Sequence, residues 1–388
     1  MPSQTSGSAS AKPVILVGLI GHRFMGVAHS NAFRNAGIWY DLPCRIETAT
    51  VCAEDTVQNL EAFAEKFGWR SVETDFRKLC SRNDVDLVSV ATPGFLHKPM
   101  VLEAVKHGKH VLCEKPLANT LADAVEMAKA AEKAGVRHCC GYSYRSTPSQ
   151  ALAKQLVDEG RIGRIHHVFA RYAQDWIVDP NFAMVWRLDK EQAGSGSLGD
   201  ICAHSIDACR FITGLGFKEV AGQLKTLIQE RPIDAAKPDG AKGRVTVDDV
   251  AQFLCTLDNG ATGCFEATRL ATGRKNRNCI EVNGERGSVV WDFEDQNYLL
   301  FYDRTAPPHR QGFMRINATD SVHPYGGGPW PVGHGIGYGD TFVIEVVNFF
   351  KAIVEKREFH PDFHDGVAVQ RVLDAVERSA TERKWITV

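Results

Sequence analysis

Hydrophobic positions change their spacing part-way along the chain. In the first 145 residues, short continuous apolar runs alternate with helix-spaced stretches. Apolar runs cover residues 14–19, 46–53, 85–91, 110–113 and 136–141, and each predicts a buried strand. Between them, residues 57–67 place Leu60, Phe63, Ala64 and Phe67 on one side of a helix. Residues 26–34, 98–106 and 122–134 also read as helices, and residues 37–45 as an extra loop. Strands alternating with helices predict right-handed crossovers and a mostly parallel sheet.

Beyond about residue 142 the strand-like runs crowd together, at 165–172, 249–257, 260–267, 278–282 and 288–293. Asn259-Gly260 and Asn283-Gly284 predict hairpin turns between them. Helical spacing is sparser, at 149–159, 200–212, 340–355 and 365–382. The expectation is a second α+β domain with a mostly antiparallel sheet. Residues 13–143 then form the first domain and 144–388 the second, after a Ser-rich tail, residues 1–12, that reads as disordered and lacks the apolar stretch of a signal peptide.

Composition narrows the function classes. The 388 residues carry 45 Lys+Arg against 47 Asp+Glu, a net charge of -2, which argues against nucleic acid as a partner. No apolar run is long enough to span a membrane. The 11 cysteines are scattered without a C-x-x-C pair, pointing to a reduced, cytoplasmic protein without a cysteine zinc site. His360 and His364 are separated by Pro361 and Asp365-Gly366 opens a helix, so no metal site is expected. The basic stretch at 269–277 reads as a solvated hairpin end.

Candidate chemistry gathers at strand ends. After the first run come Gly21, His22, Arg23, Phe24, Met25 and Gly26, which fit G-x-G-x-x-G except that Arg23 stands at the second glycine. Arg23 gives up close backbone approach but offers a guanidinium to a phosphate. Taken bare, the segment is equally a tight strand–helix turn. Glu54 and Asp55 end the second run, a little beyond the usual spacing of about 20 residues; an acid there bonds ribose hydroxyls and repels a 2′-phosphate, favouring NAD. Thr92-Pro93, Glu114-Lys115-Pro116 and Tyr144 close later runs. In an open α/β sheet all these ends face one crevice. Further on, Gly199-Asp200 and His204 place an acid and an imidazole on one helical face.

Taken in order, Phe24-Met25-Gly26, Ala91-Thr92-Pro93, Glu114-Lys115-Pro116 and Gly199-Asp200-x-x-x-His204 resemble the Gfo/Idh/MocA family of sugar and cyclitol oxidoreductases. The resemblance implies an NAD-binding Rossmann domain followed by an α/β domain whose large open sheet makes homo-oligomers, dimers or tetramers. It implies Lys115, Asp200 and His204 as the catalytic set. It also implies Gly21, Arg23, Phe24, Met25, Gly26, Glu54, Thr92, Pro93, His97, Glu114 and Lys115 as cofactor contacts. Gln174, Trp176, Arg187 and Tyr338 look most like the sugar pocket of the levoglucosan and glycoside 3-dehydrogenase branch, with Tyr144, Asp200 and His204 beside them. Inositol or aldose 1-oxidation, or a non-catalytic sugar-binding regulator, are the alternatives. The complete Lys115, Asp200, His204 set favours the enzyme.

Overall fold

A computed structural model describes residues 12–328 and 330–388 of the chain; the expected tail falls outside them except for Lys12. The first sheet is built from β1 (Val14–Ile20), β2 (Arg45–Cys52), β3 (Ser71–Glu73), β4 (Leu87–Val90), β5 (His110–Cys113) and β6 (His138–Cys140). Helices α1 (Phe24–Trp39), α2 (Val57–Phe67), α3 (Phe76–Ser81), α4 (His97–Lys106) and α5 (Leu121–Ala134) connect them. All pairings are parallel, in the order β3-β2-β1-β4-β5-β6. The order reverses between β1 and β4, which opens a crevice at their carboxyl ends.

Local signals explain the helix limits. Thr56 Oγ1 accepts from the Asn59 amide and Gly68, at φ +78°, closes α2; Thr120 and Gly135 do the same for α5. The loop at 37–45 is shorter than expected: residues 37–39 complete α1, residues 40–44 are loop, and Arg45 opens β2. Gly37 has open space around it and α1 runs through to Trp39, held by the burial of Ala32, Phe33 and Ala36.

The second sheet has nine strands, in the order β16-β15-β14-β13-β7-β12-β11-β8-β17. In chain order, α6 (Pro148–Asp158), β7 (Ile165–Ala173), the short α7 (Lys190–Ala193) and α8 (Ala203–Thr213) come first. Then follow β8 (Phe217–Lys225), a small hairpin of β9 (Glu230–Pro232) and β10 (Lys242–Arg244), β11 (Val250–Leu257), β12 (Thr262–Thr268), β13 (Arg277–Gly284) and β14 (Gly287–Asp292). The chain ends with β15 (Tyr298–Asp303), β16 (Phe313–Asn317), α9 (Tyr338–Glu355), α10 (Phe363–Glu382) and β17 (Ile386–Thr387). Only β7 and β12 pair in parallel, so the sheet is mixed and mostly antiparallel. One of its faces packs on α6, α8 and α10.

The two halves do not divide cleanly at residue 143. Helix α9 returns to the first sheet, where Phe342, Val346, Phe349 and Phe350 pack with Leu19, Phe33 and Ala36. A buried ion-pair group fastens the junction: the Arg145 guanidinium donates to Asp207 on α8 at 2.9 and 2.6 Å and to Asp365 on α10 at 3.3 Å. Breaking such a pair from one side costs about 3–5 kcal/mol.

Candidate active site

The turn after β1 is made by backbone constraints. Gly21 has φ +101°, and a Cβ there would strike the Ala91 carbonyl; a Cβ on Gly26 would strike the carbonyl of Gly21. Both positions therefore require glycine for the strand–helix turn itself. Unlike α2 and α5, α1 carries no side-chain cap at its N-terminal residue, Arg23. Its first-turn amides, from Phe24, Met25 and Gly26, are left for a ligand. The Arg23 side chain is 84% exposed and reaches Asp55 at 3.3 Å. Asp55 is also bonded by Asn59, the Thr56 amide and His22; these bonds, the Asn59 one foremost, hold its carboxyl below the usual range. Glu54 is exposed beside it.

At the end of β4, Thr92 and Pro93 are partly exposed on the same crevice. His97 is different. Its ring is buried, with Nε2 facing the Thr92 carbonyl at 2.9 Å and Nδ1 facing the carbonyls of Pro116 and Leu117 at 3.2 Å. Expected as a cofactor contact, it instead ties the Thr92 loop to the Lys115 loop, because no ring nitrogen is left for a ligand. Glu114 also turns inward: Oε1 lies 2.8 Å from His29 Nε2, and His29 Nδ1 lies 2.7 Å from Ser89 Oγ. Only the backbone of Glu114 remains on the crevice side.

Lys115 then crosses to the second half of the chain. Its Nζ donates to the Asp200 carbonyl at 2.8 Å and lies 3.6 Å from Asp200 Oδ1. Asp200 belongs to a π turn, Leu198–Cys202, that runs directly into α8. Asp248 shapes that turn: its carboxylate accepts from Gly196 N, Ser197 Oγ and Leu198 N at 2.7, 2.6 and 2.8 Å. Any Cβ at Gly196 would overlap the Asp248 backbone, which is why glycine precedes the turn. The π turn carries Asp200 straight into α8, four residues before His204. Burial alone would raise the Asp200 pKa, but the charges of Lys115, Arg269 and Arg187 outweigh it and hold the group below the usual carboxylate range.

His204 stacks on Tyr144, with ring centres 4.4 Å apart, and its Nδ1 is buried without a partner. Burial, and then the Lys115 charge, push its pKa well below 6.5. The imidazole is neutral at neutral pH. Behind it runs a chain of polar groups. Tyr144 and Tyr172 share a hydrogen bond of 2.8 Å, Tyr172 donates to Asn276 Oδ1 at 2.7 Å, Gln174 Nε2 donates to the same oxygen at 2.7 Å, and Trp176 Nε1 donates to Gln174 Oε1 at 3.1 Å. Burial raises the pKa of both tyrosines, so both keep their protons. Arg187 lies over its neighbour Trp186, 4.4 Å from the ring centre. Tyr338, at the start of α9, stacks on Phe24 with centres 6.3 Å apart and meets Tyr144 edge-on at 6.3 Å. Phe24 is 65% exposed and Met25 packs on the core of the first sheet.

With the geometry in place, comparison with known proteins is decisive. Residues 15–142 match an oxidoreductase family with an NAD-binding Rossmann fold, and residues 151–290 match the GFO/IDH/MocA C-terminal domain. The chain belongs to the Gfo/Idh/MocA family. It is 39% identical to levoglucosan dehydrogenase from Pseudarthrobacter phenanthrenivorans, over 96% of this chain and 97% of that protein. It superposes on an oxidoreductase domain protein from Kribbella flavida with a TM-score of 0.93 and 51% identity, over 97% and 99% of the two chains. It superposes equally on levoglucosan dehydrogenase in complex with NADH and levoglucosan, with a TM-score of 0.92 and 38% identity over the same shares.

As a Gfo/Idh/MocA oxidoreductase the chain uses NAD, and its first half fits that cofactor on its own terms. The glycine turn, the uncapped amides of α1 and the exposed Glu54 supply what a pyrophosphate and a ribose with a free 2′-hydroxyl need. Among the described residues, no helix is long and apolar enough to cross a membrane. Two site residues escape a reading of the sequence. Arg269 and Asn276 lie in the basic stretch expected to be a solvated hairpin end, yet Arg269 is fully buried beside Asp200 and Asn276 is the hub of the polar chain. The strand β12 that ends at Thr268 was the available signal, since it delivers Arg269 to the same sheet edge as Gln174. His138, Asp362 and His364 do converge, but the Phe363 amide donates to His138 Nδ1 and Asp362 caps α10. Those groups serve the turn.

Proposed function

We propose that the chain oxidises a ring hydroxyl of a sugar with NAD, levoglucosan at its C3 hydroxyl being the substrate the site fits best. The observation that carries this is the meeting of Lys115, Asp200 and His204 at the mouth of the Gln174–Trp176 wall. The identity to levoglucosan dehydrogenase over nearly the whole chain supports the choice of sugar. When bound, NAD supplies the hydride acceptor. The chain's own residues deal with the hydroxyl. The neutral His204 is in the accepting form and takes the hydroxyl proton. The Lys115 ammonium donates to the same oxygen and stabilises the charge developing there. Asp200, held ionised, accepts from a neighbouring hydroxyl and orients the ring. Gln174 and Arg187 offer polar groups to further hydroxyls, and the indole of Trp176 offers an apolar face to ring C–H groups.

Around the single Asp200 carboxylate stand Lys115, Arg187 and Arg269, so the cleft carries surplus positive charge. That favours, as a second reading, a sugar bearing a carboxylate or phosphate. The row Leu254, Cys264, Phe169 on the open face of the second sheet supports a homo-oligomer formed through that face. All eleven cysteines are free, which supports a reducing, cytoplasmic setting.

The test is NADH formation with levoglucosan, methyl glucoside, glucose, inositol and glucose 6-phosphate, each with kcat/KM. Levoglucosan is expected to lead. A faster reaction of glucose to its lactone removes the assignment to C3, and a lead for glucose 6-phosphate installs the second reading.

A further inference from the structure

Arg269 directly follows β12, and its whole side chain is buried. A guanidinium keeps its charge in a protein, and burying one with incomplete hydrogen bonding is costly. Yet Nε and Nη1 of Arg269 have no hydrogen-bond partner, and Nη2 reaches only the Asp248 carbonyl, at 3.3 Å. What the group faces is the cleft. Nη1 lies 3.6 Å from Asp200 Oδ2, and the guanidinium lies 5.5 Å from the centre of the Trp176 indole. Lys115 Nζ is 3.6 Å from the other carboxylate oxygen, Oδ1. Each oxygen thus has its own cation, at ion-pair rather than hydrogen-bond distance, which leaves lone pairs free for a ligand. Asp248 joins the same unit, because its carbonyl accepts from Arg269 while its carboxylate shapes the π turn.

We propose that Arg269 is a positioning residue for the oxidation, clamping the Asp200 carboxylate against Lys115 and bracing the Trp176 indole. This rests on the place given to Asp200 in the sugar site. The groups facing Asp200 are Lys115 from the end of β5, Arg269 from the end of β12, Arg187 from the turn before α7, His204 from α8, and Tyr144 and Tyr172 behind. Of these, three are cations, and together they outweigh the effect of burial. Losing Arg269 leaves burial less opposed, so Asp200 takes up a proton at higher pH. Lysine restores the charge without the planar fork.

The experiment compares Arg269→Met and Arg269→Lys with the wild type, recording kcat/KM for levoglucosan against pH at saturating NAD, with NADH affinity by fluorescence. Arg269→Met is expected to lose about tenfold in kcat/KM at pH 7 and to move the acid limb up by about one pH unit. Arg269→Lys returns the limb to its place while recovering only part of the rate, and NADH affinity holds in both. An acid limb of Arg269→Met that coincides with the wild type's overturns the proposal, whatever the loss in rate. Should Arg269→Met not fold, Arg269→Gln carries the same comparison. Asp200→Asn separates the two levels. If it keeps turnover and the acid limb, the reading of the site falls and the Arg269 role with it; if it loses them while Arg269→Met keeps the wild-type limb, only the Arg269 role falls.

Discussion

Around Gly21 and Gly26 the cleft is shaped by main chain from one short stretch, residues 21–26, whereas around Asp200 it is shaped by side chains from residues 115, 174–187, 200–204, 269–276 and 338. The first region tolerates an exposed Arg23 where a glycine is usual, since the turn depends only on Gly21 and Gly26. The second region has no such slack. Its donors and acceptors are buried or half-buried and linked to one another, so a change at one is felt at the next. The difference suits the two ligands: one cofactor is held by groups every residue carries, while a particular sugar needs particular side chains.

Lys115, where the two regions meet, gives the largest expected effect. Lys115→Met should lower kcat by about a hundredfold, roughly 3 kcal/mol, with NADH affinity by fluorescence titration changed only slightly. A variant with near wild-type kcat and intact circular dichroism would reduce Lys115 to a structural role. On the cofactor side, Gly26→Ala forces apart two backbone segments and should cost about 2 kcal/mol. The loss should appear in KM for NAD and in thermal stability while KM for the sugar holds. Equal loss in both KM values would mean that the two regions are not separable.

Much of the cofactor side was legible because its signals are local. The apolar run of β1 and the glycines that follow lie side by side in the chain, and the one-sided spacing of Leu60, Phe63 and Ala64 reads directly as the buried face of α2. β3 and α3 escaped because they are too short to show a period, and the last residues of α1 escaped because Gly37 reads as a break. The helix at Asp200 was expected and its π turn was not; that turn is imposed by Asp248, far along the chain. Arg269 and Asn276 were misread for the same reason. Their neighbours Arg274, Lys275 and Arg277 are charged, and only the packing of β12 and β13 against β7 carries these two inward.

Asn276 therefore sharpens the comparison from the other side. Asn276→Leu leaves Tyr172 and Gln174 without their shared acceptor, at a cost of about 1–3 kcal/mol. KM for the sugar should rise roughly tenfold while KM for NAD stays constant. A rise confined to NAD would place the polar chain on the wrong side of the cleft.

A smaller, pH-dependent effect follows from His204. Its folded pKa lies well below 6.5, so the unfolded chain takes up a proton first as the pH falls. The stability associated with the neutral ring is present above about pH 6.5 and is lost below it, by at most about 1.4 kcal/mol per pH unit. Urea unfolding at pH 7.5 and 5.5 should show a shallower dependence in His204→Gln than in the wild type. Identical slopes would mean that the buried imidazole titrates as it does in the unfolded chain.

The central claim is that hydride leaves the sugar carbon whose hydroxyl Lys115 and His204 grip. Levoglucosan deuterated at C3 tests it most directly, with NAD in a single turnover and NMR of both products. The account predicts deuterium at C4 of the NADH nicotinamide, a 3-keto sugar, and slower turnover than with the unlabelled sugar. Deuterium retained in the sugar, with unlabelled NADH formed at the normal rate, would contradict it.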